Sequence, residues 1–192
     1  NCFIRPPVAN VNQIAVVLAK ISPEPDFLLV DKLLVTAEKN GITPLIVINK
    51  IDLINEKELQ EVKSIYKDTG YEVVAISKIG KQGYDELHEK LKGRRTVFAG
   101  QSGVGKSTIL NNIMDSWVME TGEMSKIQRG KHTTRHVQLL PLDNEGYVVD
   151  TPGFSSMSLE GIEYDELPLM YPEFAKLEGK CRFNGCSHIK EP

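Results

Sequence analysis

The segment GQSGVGKS at 100–107 fits G-x-x-x-x-G-K-[ST], a pattern that turns backbone N–H groups toward phosphate. Glycines allow the curl, and the N-terminus of a following helix adds positive potential. Lys106 would set a point charge on the outer phosphates, and the Ser107 hydroxyl can ligate Mg²⁺. The candidate phosphate-binding residues are Gly100, Gln101, Ser102, Gly103, Val104, Gly105, Lys106, Ser107 and Thr108. The bland alternative is a glycine-rich turn. At average composition a chance match in one chain has a probability of roughly 0.01, so the phosphate reading prevails.

A phosphate loop does not choose between adenine and guanine. NKID at 49–52 does, because it ends the apolar run TPLIVI, where ligand loops of an α/β sheet gather. Asp52 can accept from guanine N1 and the exocyclic amine, a donor pair that adenine lacks. Asn49 can meet the other base edge, and the Lys50 stem can cover the ring. NKxD by chance is expected in roughly one chain in forty, so alone it would pass for a polar strand-end turn. Ser77 and Lys78 in AISKIG end the next strand, and backbone N–H groups there are candidates for guanine O6.

The remaining candidates lie after the phosphate loop. In DTPG (150–153), Asp150 would hold Mg²⁺ through water, and the Gly153 N–H would meet the γ-phosphate. A bare D-x-x-G is expected about once per chain of this length; its place after a strand gives it weight. Thr133 and Thr134 sit in the basic loop KIQRGKHTTRH, and Thr134 is the favoured third Mg²⁺ ligand. Phe154 occupies the position where many GTPases place a water-orienting Gln. An apolar ring cannot polarise water, so His132 is the nearest candidate for that work; a loop histidine that is merely solvated is the alternative.

These loops need a scaffold, and the sequence supplies one. Apolar β-branched runs at 13–20, 43–50, 71–77 and 95–100 predict strands. Helical periodicity at 26–40, 55–70, 84–92 and 106–115 alternates with them, Gly41 and Gly70 acting as stop signals. HVQLLPL (136–142) and GYVVD (146–150) predict a hairpin around Asp143 and Asn144. Such alternation implies an α/β fold with a mainly parallel sheet and helices on both faces. Residues 155–192 predict a short helical appendage.

Composition is that of a soluble globular protein: 192 residues, 41% hydrophobic, 26% charged and a net charge of −3. That charge gives no global pull toward nucleic acid. No apolar run reaches membrane-spanning length, and three cysteines make no disulfide framework. A reducing cytoplasm, no membrane partner and a monomer are the expectations. The start at Asn1 suggests a piece of a longer chain.

The order of motifs is unusual. NKID and Ser77-Lys78 precede the phosphate loop, which precedes Thr133-Thr134 and DTPG, whereas most GTPases begin with the phosphate loop. A sheet tolerates such a permutation when surface termini are joined, here through Lys92-Gly93-Arg94, and a new break opens elsewhere. In that order, GQSGVGKST, GKHTTR, DTPGF and NKID resemble the ribosome small-subunit-dependent GTPase A family, bacterial GTPases of late small-subunit maturation. RPPVANVNQ (5–13) is similar to that family's linker into its GTPase domain. The resemblance implies a circularly permuted P-loop GTPase whose hydrolysis is stimulated by the small ribosomal subunit, with a catalytic role for His132. It also implies an N-terminal OB-fold, contact with rRNA and a C-terminal zinc domain. The expected division is a linker at 1–12, the GTPase domain at 13–156 and the start of a zinc-binding appendage at 157–192.

Cys181, Cys186 and His188 have zinc-ligand spacing, but a structural site needs four ligands. The family pattern places another cysteine after His188, so zinc is expected in a longer chain and weakly, if at all, in one ending at Pro192. The sequence thus predicts a protein that binds GTP/GDP with Mg²⁺ and hydrolyses GTP through Lys106, Thr134 and His132. Its rivals are a nucleotide-dependent binding module that Phe154 leaves nearly inactive, and an ATP-using kinase that Asp52 disfavours.

Overall fold

The computed structural model describes residues 10–121, 138–142, 145–150, 162–163, 166–175, 177 and 180. Its strands are β1 (Gln13–Ala19), β2 (Thr43–Asn49), β3 (Glu72–Ala75), β4 (Arg95–Ala99), β5 (Gln138–Pro141) and β6 (Tyr147–Asp150). Its helices are α1 (Phe27–Lys39), α2 (Glu56–Ile65), α3 (Tyr84–Leu91), α4 (Lys106–Thr121) and the single turn α5 (Pro172–Ala175). The strands form one sheet in the order β3-β2-β1-β4-β6-β5. Four of its five pairings are parallel; β5 and β6 form the predicted antiparallel hairpin, with Leu139 opposite Val149.

Strand periodicity builds two cores. Along β1 and β2, Ile14, Val16, Leu18, Ile46 and Ile48 pack with Leu33 and Val62 on one face. The intervening Ala15, Val17, Leu45 and Val47 pack with Leu87, Leu91 and Ile109 on the other. Both faces are covered, so β1 is buried at every position and its sequence is a continuous apolar run. Each fully buried Leu or Ile contributes about 1.5–3 kcal/mol.

Local chemistry sets the helix ends. Asp26 caps α1, its Oδ1 accepting from Leu29 N at 3.0 Å. Asn55 and Glu58 form a reciprocal capping box on α2, at 3.0 and 2.9 Å. The sequence carries that helix to residue 70, but α2 ends at Ile65. There Thr69 Oγ1 donates to Tyr66 O at 2.7 Å, and the chain turns instead. Conversely, α4 runs six residues past the expected 115. The turn at 92–94 is closed by Arg94 N donating to Leu91 O, with Gly93 at φ +64.

From β1 the chain steps outward to β2 and β3, returns to β4 beside β1, then goes to the opposite edge as β5 and folds back as β6 beside β4. The direction reverses between β1 and β4. In open α/β sheets, ligands bind beyond the carboxyl ends of the strands at such a point.

Candidate nucleotide-binding site

The phosphate loop leaves β4 at that reversal. Gly100, at φ +138, lies so close to β1 that a Cβ would stand 2.2 Å from Val17 O. Gly105, at φ +99, would bring a Cβ within 2.4 Å of Asn49 Nδ2. Both close approaches require glycine. Val104 is buried and anchors the loop in the core, and Ile109 N donates to Gly105 O at 2.9 Å as α4 begins. The Lys106 ammonium donates to Gly100 O at 2.7 Å and Gln101 O at 2.8 Å. Burial lowers its pKa. Ser107 and Thr108 stand exposed in the first turn of α4.

NKID is knitted onto this loop. Asn49 closes β2, is buried, and donates through Nδ2 to Val104 O at 2.8 Å. Its Oδ1 accepts from Lys50 N at 2.8 Å. The sequence assigns Asn49 to a base edge; its amide also braces the phosphate loop, with one N–H and one lone pair remaining. Lys50 adopts a left-handed conformation, and its ammonium donates to Gly103 O at 2.8 Å and to Ser22 O. Asp52 is exposed, and its Oδ1 accepts from the buried Ser77 hydroxyl. Ser77 N already donates to Gln82 O at 3.0 Å, so of the two N–H groups proposed for guanine O6 that of Lys78 carries the expectation.

Asn49, Lys50, Asp52, Leu53, Lys78, Gly103, Gly105 and Thr108 surround a cleft of about 340 Å³. Residues far apart in sequence therefore share one site, with ammonium groups toward the phosphate loop and a carboxylate at the other end. Asp150 ends β6, whose Val149 pairs with Val97 of β4, so its backbone reaches the same sheet edge. His132, Thr133, Thr134, Gly153, Phe154, Cys181, Cys186 and His188 lie outside the described residues.

The sequence reasoning overlooked residues 20–26, which follow β1. Ser22 O accepts from Lys50, and Asp26 N donates to Gln101 Oε1 at 3.3 Å. A Cβ on Gly103 would lie 3.8 Å from Pro23 Cδ. The available signal was positional: a Pro-punctuated stretch, ISPEPD, immediately after a buried strand at the ligand edge.

The model of the RsgA GTPase family matches residues 1–160. A small ribosomal subunit biogenesis GTPase RsgA of Ruminiclostridium cellulolyticum is 57% identical over 191 residues, which cover 99% of this chain and 62% of that protein. The crystal structure of YjeQ from Thermotoga maritima aligns with a TM-score of 0.75 at 40% identity, covering 98% of this chain and 64% of that one. That of YloQ, described as a circularly permuted GTPase, aligns with a TM-score of 0.74 at 36% identity, covering 98% and 61%. The chain spans less than two thirds of the length of these relatives. Motif order, sheet topology and these likenesses agree on a circularly permuted GTPase fold, and the chain belongs to the RsgA GTPase family.

Proposed function

We propose that this chain binds GTP and GDP in the cleft between NKID and the phosphate loop and hydrolyses GTP, as the nucleotide-driven part of a factor maturing the small ribosomal subunit. The observation that carries the reading is the join between the two loops. Asn49 to Val104 and Lys50 to Gly103 hold the base-reading and phosphate-reading segments in one geometry. Asp52, braced by Ser77, offers an exposed carboxylate at the rim. Guanine supplies the matching pair of donors; adenine would leave the carboxylate unpaired.

The residues suit a triphosphate. Lys106 rests on two backbone carbonyls, bonds that a phosphate would replace with stronger charge-assisted ones. Mg²⁺, bound with the nucleotide, neutralises phosphate charge; Ser107, Thr134 and Asp150 are the residues we assign to hold it. We assign His132 to orient the attacking water, since Phe154 has no polar atom to do so. Zinc on Cys181, Cys186 and His188 belongs to the longer protein in this reading. The relatives are named small ribosomal subunit biogenesis GTPases; in our reading this chain works on that subunit in the cytoplasm, as a monomer contacting rRNA.

Phe154 favours a second reading, a nucleotide-dependent binding module with negligible turnover. Single-turnover GTP hydrolysis with and without purified small subunits separates the two. The proposal expects stimulation by the subunit, loss of turnover in His132→Ala with affinity retained, and loss of both in Lys106→Ala with the fold intact. Unstimulated, negligible turnover in the presence of subunits supports the binding module instead.

A further inference from the structure

A second cavity lies away from the nucleotide cleft and shares no lining residue with it. It holds about 70 Å³ and is enclosed by α1, the end of α2, the approach to β3, and α5 with the 3₁₀ turn Leu167–Met170 before it. Tyr66, Tyr71 and Tyr171 line it with Asp31 and Glu173. Two oxygens in this neighbourhood are buried without a hydrogen-bond partner, Tyr66 Oη and Glu173 Oε2, while the Tyr71 phenol lies against the Glu38 carboxylate. Tyr66 is 97% buried by its 3% exposure, so its phenol has no solvent to turn to. Orphaned buried polar atoms are rare and costly.

Charge points the same way. The Asp31 carboxyl is pushed up by burial and then by Glu173. Tyr66 is raised by burial and Asp31; Tyr71 by burial, Glu38 and Glu173; Tyr171 by burial, Asp31 and Glu173. In every case burial is the larger cause and a neighbouring carboxylate the smaller one, so the ionised form of each group is disfavoured. Lys20 pairs with Glu61 and Lys90 with Glu72, both away from this cavity. A bound cation would offset the repulsion between the Asp31 and Glu173 carboxylates, which water would not.

We infer that this cavity is a binding site for a guanidinium group, carried on an arginine side chain of a partner protein. A guanidinium has five donors in a planar fork, stacks on aromatic rings and is less strongly hydrated than an ammonium. It matches a wall of phenol rings, orphaned oxygens and two carboxylates. The described residues contain no group of three or more His, Cys, Asp or Glu placed to hold a metal ion. A side chain is favoured over a free small cation by the rim. Ile65 is 50% exposed and Leu169, beside the lining residue Met170, is 60% exposed, apolar surface suited to an arginine stem.

The test is an NMR titration of the chain, following the tyrosine ring signals of Tyr66, Tyr71 and Tyr171. The probes are N-acetyl-arginine amide, its neutral citrulline counterpart, methylguanidinium, and calcium or potassium chloride. Saturable shifts with the arginine probe, at least tenfold weaker binding of citrulline, and weaker binding of methylguanidinium support the site. Asp31→Asn and Tyr66→Phe, each checked for a native spectrum, should weaken the arginine probe severalfold while guanine-nucleotide binding is unchanged. No saturable shift at tens of millimolar arginine probe, equal binding of citrulline, or shifts produced only by the metal salts overturns the proposal. Equal binding of methylguanidinium overturns its assignment to a side chain.

Discussion

The nucleotide edge of the sheet and the pocket between α1 and α5 handle buried polar groups in opposite ways. At the nucleotide edge, Asn49 is matched at both ends of its amide, Lys50 and Lys106 each rest on two carbonyls, and Ser77 joins Asp52 to Ile79 N. In the pocket, the Tyr66 phenol and a Glu173 carboxylate oxygen have no partner. In the first region loop is tied to loop, so its polar groups are matched within the fold. The second holds unmet polar demand, which a binding partner can exploit. The lesson is that a motif-bearing site and a motif-free one are distinguished by satisfaction as much as by residue type.

The largest expected effect breaks the matched side. Gly105→Ala places a methyl group against Asn49 Nδ2 in a backbone conformation hostile to side chains. Strain of about 1–3 kcal/mol, with loss of the Asn49 strut worth about 1 kcal/mol, should weaken guanine-nucleotide binding about 100-fold. Fluorescent-nucleotide titration measures it; near-normal affinity would show that the two loops need not touch.

Asp52→Asn comes next. It removes the carboxylate that accepts from Ser77, and should weaken GTP by about 2–3 kcal/mol while improving xanthine nucleotide binding. Competition titration reads both changes, and an unaltered base preference would remove guanine reading from this end of the cleft. Ser77→Ala leaves the carboxylate but not its brace, so about 1 kcal/mol is expected in the same assay. An effect as large as that of Asp52→Asn would mean that Ser77 itself contacts the base.

The smallest effect belongs to the pocket. A raised Asp31 pKa means that the folded state binds more protons than the unfolded state just above 3.8, so stability should fall as pH rises through that window. Asp31→Asn should flatten this dependence and raise the melting temperature slightly, on the order of 1 °C. Hydrogen exchange of the amides at 167–175 across the acid range checks it. A variant with unchanged pH dependence would place the strain elsewhere in the pocket.

Much of the fold was legible because period and punctuation are local. Continuous apolar runs in QIAVVLA and TPLIVIN mark strands buried on two faces, and Asn55 with Glu58 announces a helix start without any tertiary information. Helix ends were less legible: the stop at Ile65 depends on a side-chain bond from Thr69 that competes with one more helical turn.

By itself the sequence carried the family and the class of fold. GQSGVGKS and NKID are read as a phosphate loop and a base-reading loop because few residue types can turn a backbone toward phosphate or face guanine with a carboxylate. Their order declared the permutation. Only the tertiary structure decided how the loops meet. That Asn49 braces Val104, that Gln101 reaches the cap of α1, and that Tyr66, Tyr71 and Glu173 converge on one cavity are facts of packing between distant segments. Hydrogen bonds and burial depend on three-dimensional proximity, and no spacing along the chain encodes which buried oxygen will be left without a partner.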